Sequence, residues 1–238
     1  MITVFGGGLS RSFRVVWLLE EMGLEYRLRP VDMLAEPEKD AEFMAVNPAC
    51  YIPALQDGEV TMVESVAIME YLMGRYGPTP LAPGPQDPAF PAYQQFLHLA
   101  EAGLNMPLFT VVVASFLAPE AQRRNWSVGH AMEGFERRRK LVALQLERSA
   151  YLAGDSFTAA DIAVGHVLVW AAKYAGIKHT DAEQVYVARL TAREGFKRAL
   201  EMSDSSARRG CQSDNARAGR VDAVSPDAPT SPTSPTPA

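Results

Sequence analysis

The stretch that decides the fold is NPACYIPALQDGEVTMVESVAIMEYLMGRY, residues 47–76. It holds two short strand-like runs, Ala54-Leu55-Gln56 and Val60-Thr61-Met62-Val63, with Asp57-Gly58 between them. Asp-Gly is a strong hairpin signal, because glycine takes a positive φ without steric cost. After Glu64-Ser65 the pattern turns helical, with Ile68, Leu72 and Tyr76 one turn apart on a single face. Ser65 is therefore expected at a helix N-terminus, where free N–H groups and the helix dipole favour an anion. Ahead of the hairpin stands Ile52-Pro53. A proline opening a strand gives no N–H to the ladder, so that position is expected to serve another partner.

Working outward towards the N-terminus, residues 2–5 read as a strand and Gly6-Gly7-Gly8-Leu9 as a loop. Either Ser10 or Ser12 then caps a helix running to about Met22. Val15, Leu18, Leu19 and Met22 form its apolar stripe, with Arg14, Glu20 and Glu21 off it, and Gly23 closes it. Residues 25–31 read as a second strand, which makes a βαβ unit with a parallel pair. Residues 33–46 read as a loop and a short helix, with Pro37 near its start. The order β-α-β-α-β-β-α resembles a thioredoxin-like domain ending near Gly77. No Cys-x-x-Cys follows the first strand, which argues against dithiol redox chemistry. Neither G-x-G-x-x-G nor GK[ST] is present, so the glycine loop gives little support to phosphate binding.

These residues carry a family resemblance. Asn47-Pro48, Ile52-Pro53-Ala54-Leu55 and Glu64-Ser65 resemble the glutathione-binding segment of glutathione S-transferases. The resemblance implies a cis Pro53, an Ile52 backbone paired with the cysteinyl part of glutathione, and Glu64 and Ser65 on its γ-glutamyl end. Ser10-Arg11-Ser12-Phe13-Arg14, with the following Val15 to Glu21, resembles the start of bacterial and theta-like serine-type members. There Ser10 takes the position that hydrogen-bonds the glutathione sulfur, with Ser12 as the second candidate. Without the resemblance, Ser10 reads as a plain helix N-cap. No tyrosine precedes Tyr26, so a tyrosine-type site on the first strand is not available. A thiol attacks as its thiolate and has an ordinary pKa of about 8.5, which a hydroxyl donor and a helix N-terminus both lower.

The segment departs from its relatives at Cys50-Tyr51, where many of them carry Gly-Lys. Cys50 reads either as a small semi-buried residue or as a thiol able to form a mixed disulfide with glutathione. The loop Gly6-Gly7-Gly8 brings no side chain to the second substrate, so its identity stays open. Leu9, Met106 and Phe109 are the apolar candidates for that wall, and His98 and Glu101 are candidate neighbours of the site.

Beyond the first half, residues 78–91 are proline-rich and read as a linker. The chain then reads as helical over 92–202, beginning with one long apolar helix over 93–117 kinked at Pro107. Arg137-Arg138-Arg139-Lys140 reads as a solvated face with Glu133–Arg137 and Glu136–Lys140 pairs, not a nucleic-acid contact. Thr158 and Asp161 form a capping box ahead of a helix, 162–175, that is apolar almost all round and so expected at the centre of the second domain. Residues 185–200 resemble the family's closing helices. Residues 203–238, with Cys211, lack the apolar content to order themselves.

The sequence thus implies an α/β thioredoxin-like domain over 1–77 followed by an all-α domain, the glutathione transferase architecture. At 238 residues there is room for two such units. A net charge of −5 argues against a general nucleic-acid partner, and two cysteines make no disulfide framework. No signal-peptide pattern opens the chain, and the most apolar run, around 162–172, is too short to span a membrane. The expectation is a cytoplasmic homodimer without metal, conjugating glutathione to small hydrophobic electrophiles in detoxification. Glutathione-dependent peroxidase or dehalogenase chemistry uses the same thiolate, and a non-catalytic binding or dimerisation module keeps the same fold.

Overall fold

The computed structural model describes residues 1–33 and 36–204. The first half is a four-stranded sheet in the order β2-β1-β3-β4. Strand β1 (Ile2–Gly6) pairs in parallel with β2 (Tyr26–Pro30) and antiparallel with β3 (Ala54–Asp57), which pairs with β4 (Val60–Val63). The βαβ expectation is met by α1 (Ser12–Met22), which Gly23 ends at φ 65. The hairpin turns one residue later than expected. Asp57 still pairs with Val60, so the loop is Gly58-Glu59, with Gly58 at φ 62. A 3₁₀ turn, Pro37–Lys39, leads into α2 (Ala41–Val46), capped by the Asp40 side chain. Helix α3 (Ser65–Tyr76) completes this half.

The long apolar stretch beyond the linker is not one kinked α-helix. It runs as α4 (Phe90–His98), a π-helical segment Leu99–Asn105, and α5 (Met106–Leu117). Pro107 has no N–H for the carbonyl one turn back, and the wider π turn lies directly ahead of it. Phe90–Leu117 spans 28 residues at a mean hydropathy of 1.5, so by length and composition it, rather than 162–172, is the stretch that could cross a membrane. Here it packs on α6 (Trp126–Leu146) and α7 (Ala159–Ala175).

Helix α7 is the hub. Ala159 to Leu168 are all buried, the Thr158 N–H donates to Asp161 Oδ2 at 2.8 Å as the capping box requires, and Gly176 ends the helix at φ 64. Asp161 also accepts from the Leu152 N–H and the Tyr186 hydroxyl. Gly165 lets Leu190 approach, because a Cβ there would stand 2.4 Å from its side chain. Trp17, Phe13, Phe157 and Phe196 fill the seam between the halves with edge-on and tilted ring contacts. Arg193 on Glu21 and Arg198 on Glu20 close its rim.

One charged residue departs from the expected surface. Arg139 is buried and forks onto Glu183 of α8 (Asp181–Thr191), and it also bonds Glu136. The basic run is therefore partly core, and Glu136 pairs with Arg139 instead of Lys140. The last helix, 194–204, carries past the expected start of the tail: Ser203 is buried and Asp204 is still helical. The rest of the proposed tail, with Cys211, lies outside the described residues.

Candidate active site

Between the two halves lies a cleft of about 710 Å³. The first half lines it with Arg11, Asn47, Tyr51, Ile52, Pro53, Glu64 and Ser65, and the helical half with His98, Glu101, Ala102, Met106 and Phe109. Of the expected site residues, Ile52, Pro53, Glu64, Ser65, Met106 and Phe109 thus converge on one space. His98 and Glu101 join them.

Backbone geometry shapes the first wall. The Ile52-Pro53 bond is cis, as the resemblance implied. The loop before it is held by buried Asn47, whose amide donates to the Tyr51 carbonyl at 2.6 Å and accepts from the Ala49 N–H at 3.0 Å. Cys50 takes φ 60, a region that suits glycine, and its side chain packs against the small cluster of Phe5, Val31, Phe43 and Ala54. It is not among the residues lining the cleft. At the corner from β4 into α3, Glu64 stands at φ 72 and ψ 108, a strained conformation for a residue with a side chain.

Neither serine caps α1. The helix begins at Ser12, and Arg11, its flanking residue, makes no side-chain cap. Ser12 is buried because its hydroxyl is taken by the loop: the Gly7 N–H donates to Ser12 Oγ at 2.9 Å. Ser12 Oγ lies 2.7 Å from Ser10 Oγ, and the Ser12 N–H donates to Ser10 Oγ at 3.3 Å. Gly6 permits this approach, since a Cβ there would stand 2.3 Å from the Ser12 Cβ. Ser10 is half-buried and directly precedes Arg11, but is not itself a lining residue. Leu9, expected on the second-substrate wall, is instead buried in the core. Its carbonyl is drawn inward by His166 Nε2 at 2.9 Å.

Arg14 is the largest departure from the helical pattern. Placed off the apolar stripe by periodicity, it is completely buried. Its Nε donates to His166 Nδ1 at 3.1 Å, and its Nη1 donates to Ser65 Oγ at 3.1 Å and to Glu101 Oε2. Its Nη2 has no hydrogen-bond partner among the described residues. Burial lowers the Arg14 pKa below its ordinary value, and Glu101 offsets part of that shift. Burial works to raise Glu101, but Arg14 and then Arg11 outweigh it and hold the carboxyl below the usual range. The π-helical turn carries Glu101 into this pair, and the Asn105 amide donates to it as well, at 3.2 Å. His166 is pushed down to about 3 by burial and then by Arg14, so it is neutral. Since Nδ1 accepts from Arg14, the proton sits on Nε2 and is donated to the Leu9 carbonyl.

Arg11, Arg14 and His166 are residues that the sequence pattern did not assign to the site. A lone histidine in a helix otherwise apolar was a signal, because a buried imidazole needs partners at both nitrogens. Arg14 sits among Phe13, Val15, Val16 and Trp17, and that apolar setting on every side was its only trace. Among the described residues, no group of three or more His, Cys, Asp or Glu side chains is placed to hold a metal ion.

Comparison with known proteins agrees with this geometry. The family described as "Glutathione S-transferase, N-terminal domain" matches residues 1–74. The chain is 31% identical over 179 residues to Glutathione S-transferase 1 of Triticum aestivum, covering 68% of this chain and 75% of that protein. It is 30% identical over 186 residues to Glutathione S-transferase 4 of Zea mays, covering 75% of this chain and 82% of that one. Among solved structures, the ternary complex of BphK, a bacterial GST, superposes with a TM-score of 0.74 at 27% identity, covering 85% of this chain and 99% of that one. A thioredoxin-like sheet, a cis-proline loop, a Glu-Ser corner and a helical half across one cleft, with relatives of this identity and coverage, establish that the chain belongs to the glutathione S-transferase family.

Proposed function

We propose that the cleft joins the glutathione thiolate to small hydrophobic electrophiles, with Ser10 donating the hydrogen bond that stabilises the sulfur. The observation that carries this role is the hydroxyl pair. Ser12 Oγ accepts from the Gly7 N–H and lies 2.7 Å from Ser10 Oγ, where either hydroxyl can be the donor; in the proposed arrangement it is Ser12. Ser10 Oγ also accepts the Ser12 N–H. With both its lone pairs engaged, Ser10 has its own proton left to donate, as a thiolate acceptor requires. Ile52 would pair its backbone with the cysteinyl unit, Pro53 in its cis form keeps that backbone free, and Glu64 and Ser65 would hold the γ-glutamyl end. Met106 and Phe109 supply apolar surface for the second substrate. The same reading takes the protein as a serine-type, theta-like, cytoplasmic homodimer acting in detoxification. Its domains are 1–77 and 92 onward, joined by the linker 78–91.

The test measures the thiol pKa of bound glutathione by thiolate absorbance, together with conjugation kinetics, in the intact protein and in Ser10→Ala. A hydrogen bond to a charged group is worth about 1.5–3 kcal/mol, so the variant should raise the pKa by about 1–2 units and lower kcat/KM by about 10- to 100-fold. An unchanged pKa would remove Ser10 from the role and pass it to Ser12. No binding at millimolar glutathione would sink the whole reading.

A further inference from the structure

Among the described residues lining the cleft, Arg11 is the only lysine or arginine. Its Nη1 donates to Glu101 Oε1 at 3.0 Å, and its guanidinium carbon lies 5.4 Å from the centre of the Phe109 ring. Nε and Nη2 of Arg11 make no hydrogen bond among the described residues. Glu101 is one carboxylate shared by two guanidinium groups. Two cations against one anion leave a surplus positive charge, and His166, at about 3, adds nothing to it at neutral pH. Arg14 is sealed from solvent, whereas the Arg11 side chain is 22% exposed. The surplus is therefore presented by Arg11, beside Phe109 and the half-exposed Met106. The acids Glu64 and Glu70 line the cleft from the β4–α3 corner and α3. An anionic substituent is favoured beside Arg11 and disfavoured beside them.

We propose that the cleft selects electrophiles joining an aromatic body to a carboxylate, the body lying on Met106 and Phe109 and the carboxylate pairing with Arg11. This rests on the glutathione transferase reading and names its second substrate. A planar guanidinium with two donors free matches a carboxylate, and a flanking aromatic face accommodates both. With 4-chloro-3,5-dinitrobenzoate as the probe, the thiol proton passes to solvent and the thiolate sulfur attacks the carbon bearing chlorine. The C–S bond forms, the C–Cl bond breaks, and chloride leaves with the bonding pair.

The experiment compares kcat/KM for 4-chloro-3,5-dinitrobenzoate and its methyl ester, each divided by its rate constant with free glutathione. The intact protein should prefer the carboxylate by about tenfold, the scale of one charge-assisted pair. In Arg11→Gln the preference should fall to within about twofold, while Arg11→Lys, which keeps the charge but not the fork, should retain only part of it. No preference in the intact protein, or one that survives Arg11→Gln, overturns the proposal. So does an equal loss on both electrophiles with a raised KM for glutathione, which would assign Arg11 to glutathione instead. If neither probe turns over, conjugation of such electrophiles fails, and calorimetry on the two pre-formed glutathione conjugates still decides the charge preference. Tighter binding of the carboxylate conjugate, lost in Arg11→Gln, supports it, and equal binding overturns it.

Discussion

The Ser12 hydroxyl stands between the Gly7 N–H and Ser10 Oγ. If Ser10 serves the sulfur as proposed, a proton donated by Ser12 would polarise the bond that Ser10 gives. Ser12→Ala should lower kcat/KM about two- to threefold below the thiol pKa, because cooperativity adds about 10–30% to a hydrogen bond. The KM for glutathione should not change, and the Ser10→Ala, Ser12→Ala double variant should be no slower than Ser10→Ala alone. Leaving the Gly7 N–H unpaired should also cost about 1–3 kcal/mol, measured by urea unfolding. Ser10, Glu64 and Ser65 were readable as residue types at fixed spacing. The roles of Arg14 and His166 were not, because burial of a cation is decided by partners 51, 87 and 152 residues away. Cys50 shows the reverse limit. Its placement beside the ligand segment was legible, but its φ of 60 and its packing against the cluster of Phe43 and Ala54 were not.

At the scale of elements, the junction of β1 and α1 works by close approach. Gly6 stands at φ 157, and an added Cβ would meet Ser12 Cβ at 2.3 Å and Ser12 Oγ at 2.5 Å. Gly6→Ala should therefore cost about 3 kcal/mol and displace the serine pair, so that thermal stability and the pKa of bound thiol shift together. Gly8→Ala is the contrast, with no atom within 4 Å of its Cβ and only the strain of φ 56 to bear. The triple glycine brings no side chain to the second substrate, as its sequence implies, but its backbone holds the Ser10–Ser12 pair in place. The π-helical turn at Leu99–Asn105 was hidden for a related reason. Periodicity over a long apolar run marks a helix, and Pro107 marks an interruption, but neither says that the slack is taken up as a wider turn placing Glu101 between two arginines.

For the molecule as a whole, the seam between the halves couples stability to pH. His166 has a folded pKa of about 3 against an ordinary value of 6.5, because burial and Arg14 disfavour its cation. The unfolded chain takes up a proton as pH falls past 6.5 and the folded one does not. Its contribution is thus present above 6.5 and lost progressively down to 3. Between pH 7 and 5 the loss should be about 2 kcal/mol, from roughly 1.4 kcal/mol per pH unit below 6.5. Glu101 and Glu183, both held below their ordinary values despite burial, extend the decline below 4.5. His166→Gln keeps one acceptor and one donor without the titration, so its unfolding free energy should vary less between pH 7 and 5. At this scale the sequence was most legible, since a βαβ unit, an Asp-Gly hairpin and a capped apolar helix each have a local cause. How the two units meet was not, because the Trp17 seam and the Glu21–Arg193 pair are contacts of long sequence separation.

The bond from His166 to the Leu9 carbonyl spans 157 residues. Its consequence is one of timing. At about 5–20 residues per second, a ribosome needs roughly 8–30 s to deliver the imidazole after the loop it secures. Before that interval ends, the Ile52-Pro53 loop and the Glu64-Ser65 corner have been made, and the brace behind Ser10 has not.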